Sequence, residues 1–317
     1  MFSYDSLETL DIELTTACNA ACPQCARYQP ILNFNPEQDH HEIRLADFKR
    51  YFDEELLRHL KKLQFCGNFG DPAAAKDLFK IIKHARKNNP NISIGLNTNG
   101  GLRSSAWWGE LAGLLTLETD YVVFSIDGLE DTNHIYRKNV NWHKLMSNAT
   151  SFIDANGNAH WDMLVFDHNR HQVSKCKDIA TSLGFKIFRH KESPRHLNPM
   201  FQGDNGKFIP LLKVDDPKIN CFAVNDRSVY VSASGLCVPC CLLGDTVYLD
   251  RNSVSVSHPD ILIKEQIDLN LNDIRDVIPK LNDVVDTWRT DRPVDCCALA
   301  CNQRNLVKDM FKEDVEL

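Results

Sequence analysis

Six short apolar runs separated by helix-patterned stretches constrain this 317-residue chain more than any other feature. DIELTTA (11–17), LQFCGNF (63–69), ISIGLNTN (92–99), YVVFSID (121–127), HWDMLVFD (160–167) and FKIFRH (185–190) read as buried strands. Between them, residues 45–62, AAAKDLFKIIKHARKNN (73–89), SSAWWGELAGLL (104–115), NWHKLMSNATSFIDA (141–155) and QVSKCKDIATSLG (172–184) read as helices. The helix at 104–115 opens on a Ser N-cap, and the one at 172–184 ends on a C-cap Gly. Such alternation predicts an α/β fold, a parallel sheet with right-handed crossovers.

In a sheet of that kind, chemistry collects where the strands end. The polar and Gly-rich segments fall at those ends: TTACNAAC, GNFGDP, TNGG, SIDG and DHNRH. The first holds Cys18 and Cys22, with Cys25 just beyond. Four thiolates would close a zinc site or fill a cubane, whereas three leave one position open. The chain has twelve cysteines. It shows no apolar segment of a secretory leader and no run long enough to span a bilayer. A cytoplasmic location is therefore expected, where disulfides are rare and metal binding accounts best for the cysteines. The net charge of −7, with no run of Lys or Arg, argues against nucleic acid as a partner.

Cys18-x-x-x-Cys22-x-x-Cys25 after a first strand resembles the signature of the radical S-adenosylmethionine (SAM) enzymes. GNFGDP is similar to their Gly-Gly-Glu-Pro motif, with Phe69, Gly70, Asp71 and Pro72 in its places. SIDG, with Ser125 and Asp127, is similar to their ribose-binding fourth strand. The resemblance covers residues 8–195 and continues beyond them. It implies a partial (β/α)6 TIM-like barrel and a [4Fe–4S] cluster held by the three thiolates. Its fourth iron would take the amino and carboxylate groups of SAM, which an electron cleaves to methionine and a 5′-deoxyadenosyl radical. Gln24 stands where many members carry an aromatic residue, Asp71 replaces Glu, and Phe69 replaces a glycine. The alternative reading of the three cysteines is a zinc site or unrelated thiols.

The resemblance extends to weaker contacts. Thr98 and Asn99 would line the SAM pocket, or simply form an Asn-Gly turn. Arg137 would pair with the SAM carboxylate through its planar fork, or be a solvated loop arginine. Val165, with Phe166, would flank adenine, or pack in the core. Asp167, His168, Asn169, Arg189, His190 and Glu192 are candidates for substrate contact or for a solvated rim.

From Ser193 the chain becomes rich in Pro, Asn, Gly and Asp, which marks a linker, placed at 196–220 between a barrel at 1–195 and a small α+β domain at 221–317. SVYVSASGLCVPCC reads as a β-hairpin, and LNDIRDVIPKLNDVVDTWR as a helix. Cys221, Gly235 and Cys240 resemble the first half of a SPASM or twitch extension. Cys297 and Cys301, at i and i+4, are taken as the second pair, which would complete one auxiliary [4Fe–4S] cluster. Cys237, Cys241 and Cys296 are alternates, and a zinc ribbon-like site is the competing reading. Cys66 and Cys176 are expected to be small buried hydrophobes.

The resulting expectation is a radical SAM enzyme, an oxidoreductase or maturase, that abstracts hydrogen from a peptide or protein, reduced by a partner such as flavodoxin or ferredoxin. Dehydrogenation of a small molecule is the alternative. A non-catalytic iron–sulfur electron carrier is the rival from another class.

Overall fold

The structure, a computed structural model, describes residues 1–28, 35, 39–192, 218–248, 252–255, 257–290, 292–301 and 311–316. Most of the expected linker lies outside them.

The barrel elements follow in the order β1 (Thr9–Ile12), α1 (Leu45–Tyr51), α2 (Glu54–His59), β2 (Lys62–Phe65), α3 (Leu78–Asn88), β3 (Ser93–Thr98), α4 (Ser105–Ala112), β4 (Tyr121–Ser125), α5 (Asn133–Tyr136), α6 (Trp142–Asp154), β5 (Ala159–Val165), α7 (Val173–Leu183) and β6 (Ile187–Glu192). The C-terminal elements are α8 (Phe222–Asn225), β7 (Ser228–Val231), β8 (Cys237–Val238), α9 (Cys241–Gly244), α10 (Lys264–Ile267), α11 (Ile274–Lys280), α12 (Asn282–Thr287), α13 (Asp295–Ala300) and β9 (Phe311–Glu316). β1 to β6 pair in chain order and all in parallel, the expected partial barrel.

The sheet extends past both ends of that barrel. β7 pairs in parallel with β1, carrying β8 antiparallel beside it, and β9 runs antiparallel along β6. The expected hairpin is therefore present, but as a continuation of the barrel sheet. Gly235 makes its turn with φ of +93°, a conformation L side chains rarely adopt.

Strand residues alternate between two environments. Leu10, Ile12, Leu63, Phe65, Ile94, Leu96, Phe124 and Trp161 are sealed from solvent on the outer face. There Phe124 meets Trp108 of α4 and Phe152 of α6. The alternate positions Asp11, Gln64, Asn97, Ser125, Asp162 and Arg189 are at least partly exposed. Asn97 is open to solvent in the middle of a nine-stranded sheet, so the inner face borders a wet, polar lumen.

Several boundaries differ from the sequence expectation for local reasons. β1 stops at Ile12 and β2 at Phe65, because the buried residues that follow fold into the site rather than the ladder. The helix expected over 45–62 breaks in two, since Asp53 accepts from Leu56 N and caps α2. Residues 72–74 form a 3-10 turn that delays α3 to Leu78. The helix expected over 271–289 is split at Leu281. Ser104 caps α4 and Gly184, at φ +88°, closes α7, both as expected. Among the described residues, no helix is long and apolar enough to cross a membrane.

Candidate active site

Cys18, Cys22 and Cys25 sit on the irregular loop after β1, at the carboxyl end of the sheet. Neighbouring polar groups reach each sulfur. Ala20 N donates to Cys18 Sγ at 3.4 Å, and Asn99 Nδ2 approaches the same sulfur at 3.6 Å. Arg137 Nη1 lies 3.9 Å from Cys22 Sγ, and the Cys25 thiol donates to Asn68 O at 3.4 Å. Burial pushes the Cys18 thiol up to about 12, with the Asp71 carboxylate and the other two cysteines adding to the shift. The three sulfurs thus share one electrostatic neighbourhood, and no carboxylate or imidazole interleaves them in sequence. An all-thiol donor set suits an iron–sulfur cluster. No group of three or more His, Cys, Asp or Glu among the described residues is drawn tight enough to hold a single metal ion.

The Gly-rich turn after β2 packs directly on this loop. Asp71 N donates to Ala17 O, and a Cβ on Gly70 would lie 1.7 Å from Thr15 O. Only glycine permits that approach. Asp71 is buried and accepts from Ala73 N at 2.9 Å, Asn99 N at 2.8 Å and Thr98 Oγ1 at 2.9 Å. Burial raises its carboxyl while those donors oppose the rise. Asp71, Thr98 and Asn99 therefore form one network, with Asn99 continuing to Asn19 Oδ1 at 2.9 Å and to Cys18.

Asp127 and Arg137 form the opposite wall. Arg137 Nε donates to Asp127 Oδ2 at 2.6 Å, and Leu164 N donates to Asp127 Oδ1 at 2.7 Å. Both Asp127 oxygens are occupied and its side chain is sealed, so it orients Arg137 rather than facing open space. Arg137 is no solvated loop residue, since it lies between Asp127 and Cys22. Ser125 is half-buried on the lumen face, in register with Asp162. Val165 is buried at the end of β5, and Phe166 packs on Tyr136 at 4.6 Å. Asn169 is fully buried and braces Asp127 O and Leu164 O. Arg189 grips Asp162 through two bonds of 2.6 and 3.0 Å, and Glu192 pairs with Arg170.

Two residues that sequence reasoning passed over complete the turn. Glu13 is fully buried and accepts from Phe69 N at 2.6 Å, Gly70 N at 3.0 Å and Tyr230 OH at 3.1 Å. Burial pushes its carboxyl up to about 7, with these donors working against the shift. Arg27 is buried and donates to Thr16 O and to Phe69 O. An acid set between Ile12 and Leu14 in an apolar strand run was the available clue to Glu13.

The C-terminal cysteines gather in a different way. Cys221 caps α8, Cys240 caps α9, and Cys297 and Cys301 come from α13 and its end. All four are buried. A hydrogen bond from Cys301 lowers the Cys221 thiol to about 7, and Cys301 is raised by the same bond and by the charges of Cys240 and Cys297. Cys296 joins through its bond to Cys297. Burial alone raises Cys237, which feels no other thiol, while burial raises Cys241 with the charge of Asp11 adding to it. Cys176 is buried as expected. Cys66 is a half-exposed lumen thiol that donates to Asp11 Oδ1 at 2.9 Å, and so departs from the expected buried hydrophobe.

A family model described as the Radical SAM superfamily matches residues 12–172. Among curated proteins, none matches the chain. Among solved structures, native anSMEcpe with bound AdoMet aligns at 16% identity and a TM-score of 0.58, over 89% of this chain and 84% of that one. Streptococcus suis SuiB bound to the precursor peptide SuiA aligns at 13% identity and a TM-score of 0.57, over 96% and 70%. BtrN in complex with AdoMet and 2-DOIA aligns at 11% identity and a TM-score of 0.51, over 98% of both chains. At these identities the likeness is one of fold.

Proposed function

This chain belongs to the radical SAM superfamily, and from that premise we propose that it abstracts hydrogen from a peptide or protein substrate held in the barrel lumen. Membership makes it an enzyme that uses a [4Fe–4S] cluster and SAM. When bound, these supply a 5′-deoxyadenosyl radical. The rest of the reading concerns what the residues of this chain do.

Cys18, Cys22 and Cys25 would hold the cluster, three thiolates for a group that takes four ligands. Phe69, Gly70 and Asp71 shape the place for the SAM ammonium through backbone groups of that turn. Thr98 and Asn99 fix the turn through the Asp71 carboxylate. Arg137 offers its fork to the SAM carboxylate, oriented by Asp127. Ser125 faces the ribose and Val165 the adenine.

One observation carries this reading: the three-cysteine loop, the Gly-rich turn and the Asp127–Arg137 pair converge from three separate strand ends. An electron carrier needs the cysteines but has no use for the other two. The lumen supports an amide-bearing substrate. Lys62 Nζ donates to Tyr121 OH at 2.6 Å, Tyr121 OH to Gln64 Oε1 at 2.6 Å, and Gln64 Nε2 to Asn97 Oδ1 at 3.3 Å. That chain leaves the Asn97 amide donors at the open surface. SuiB and anSMEcpe, the neighbours with bound peptides, share the fold. A small-molecule substrate is the second reading, favoured by the alignment with BtrN over nearly the full length of both chains.

The barrel is assigned to residues 1–195, a linker to 196–220 and an auxiliary-cluster region to 221–317. In that region Cys221, Cys240, Cys297 and Cys301 would hold a second [4Fe–4S] cluster, a group that would supply an electron acceptor or a substrate-binding position. A flavodoxin- or ferredoxin-type protein delivers the first electron. The test is anaerobic incubation of reconstituted protein with dithionite and SAM. Release of 5′-deoxyadenosine is expected, with deuterium transfer from a labelled peptide. No deoxyadenosine would refute the reading, and label transfer from a small molecule alone would select the second.

A further inference from the structure

The contacts of Glu13 do more than fill a buried site. Its carboxylate accepts the N–H groups of Phe69 and Gly70, two consecutive residues of the Gly-rich turn. All peptide bonds described are trans, so each of these N–H groups points opposite to the carbonyl of its own peptide unit. Pinning Phe69 N inward therefore turns Asn68 O outward, where it meets Cys25 Sγ. Pinning Gly70 N turns Phe69 O toward Arg27 Nη1, 3.1 Å away. Two peptide units are thus gripped from both sides, by Glu13 on their N–H faces and by Cys25 and Arg27 on their carbonyl faces.

As a thiol, Cys25 satisfies the Asn68 carbonyl. A cysteine that ligates metal is a thiolate with no proton to give. The carbonyl then needs another donor, and beside a thiolate a cationic N–H donor is favoured. We infer that Glu13 is a positioning residue for the SAM ammonium, holding the Asn68 carbonyl toward the open side of the three-cysteine loop, and that Tyr230 braces it from the C-terminal hairpin. The inference rests on the SAM reading above. The brace is specific, because the Tyr230 hydroxyl takes the second Glu13 oxygen and a Cβ on Gly244 of α9 would lie 2.4 Å from the Tyr230 ring. Asn68 itself is tied to the same helix, donating from Nδ2 to Cys241 O at 2.7 Å. The hairpin that carries Cys240 therefore helps to shape the turn at the other cysteine site.

The test compares SAM with 5′-methylthioadenosine, which keeps the adenosine and lacks the arm that carries the ammonium and the carboxylate. Full-length reconstituted wild type, Glu13→Ala, Glu13→Gln and Tyr230→Phe are titrated with each by equilibrium dialysis, and iron is measured on every sample. Glu13→Ala is expected to weaken SAM roughly tenfold or more, with methylthioadenosine within about twofold of wild type. Glu13→Gln should recover most of the loss, because its amide oxygen still accepts from both N–H groups. Tyr230→Phe should show the same selectivity at a smaller size, and it decides the matter if Glu13→Ala fails to fold. Equal losses for both ligands, or unchanged SAM affinity in the folded variants, overturn the role of Glu13. Wild type that takes up iron but binds no SAM would instead sink the SAM reading, and this role with it.

Discussion

The two groups of cysteines in this molecule sit in different surroundings. Around Cys18, Cys22 and Cys25, the sulfurs meet a backbone amide, a carboxamide, a guanidinium and a carbonyl. Around Cys221, Cys240, Cys297 and Cys301, the sulfurs influence one another, and backbone N–H groups of α8 and α9 reach Cys221 and Cys240. The first loop has two half-exposed cysteines and a polar wall, while the second set is buried throughout. An open ring of thiols facing hydrogen-bonding groups suits a metal centre that must also admit an external ligand. Buried thiols suit one that is filled by the chain alone. On the reading proposed above, ligand chemistry belongs to the N-terminal site and a structural or electron-accepting role to the other.

The strongest way to break this contrast is to remove one site. Replacing Cys18, Cys22 and Cys25 together with Ala should abolish 5′-deoxyadenosine formation. The variant should retain about half the iron of the wild type, about four of eight atoms. Elemental analysis giving one zinc and no iron would make the C-terminal site a structural zinc centre and remove its electron-accepting role.

Glu13 joins the two regions, and its ionisation provides a second probe. Its carboxyl is raised from 4.5 to about 7 in the fold. A raised acid favours the fold below its unfolded value, and that contribution is lost as pH climbs to the folded value. Wild-type stability should therefore fall relative to Glu13→Gln between pH 4.5 and 7, by about 3 kcal/mol. Denaturant titrations of both proteins at the two pH values measure it. A constant difference, or one of opposite sign, would mean that Glu13 stays charged throughout.

Arg137 sharpens the contrast at one end. Arg137→Ala should weaken SAM by about ten- to a hundredfold, the size of a lost charge-assisted hydrogen bond, and leave total iron unchanged. Arg137→Lys should recover only part, because an ammonium lacks the fork that Asp127 now orients. Unchanged SAM affinity would return Arg137 to a purely structural pairing. The smallest effect is expected at Cys237, which interacts with no other thiol. Cys237→Ser should keep full iron, and a loss would redraw the second ligand set.

Much of the fold was legible because its determinants are local. YVVFSID is a continuous apolar run, and β4 occupies Tyr121–Ser125 of it. Ser104 and Gly184 mark helix ends through capping chemistry that needs no tertiary context. The parts that were not legible depend on distant partners. Nothing in SVYV announces that it pairs with β1, more than two hundred residues earlier, nor that FKEDVE lies along β6. The strand ends were over-extended because Glu13, Thr15 and Thr16 are buried like strand residues, yet they serve the Gly-rich turn and the loops beside it. The site was half legible in the same sense. Cysteine spacing identifies the loop, whereas the partners of Glu13 and Arg27 exist only once residues 67–72 fold back over it.

The central claim, that one cysteine site is open to SAM and the other closed, is tested most directly by the paramagnetic resonance of the dithionite-reduced protein with and without SAM. Two overlapping cluster signals are expected in the wild type, of which SAM changes one. In the Cys18, Cys22 and Cys25 triple Ala variant a single signal should remain, indifferent to SAM. A remaining signal that SAM shifts would place the open coordination position at the C-terminal cysteines and contradict the assignment.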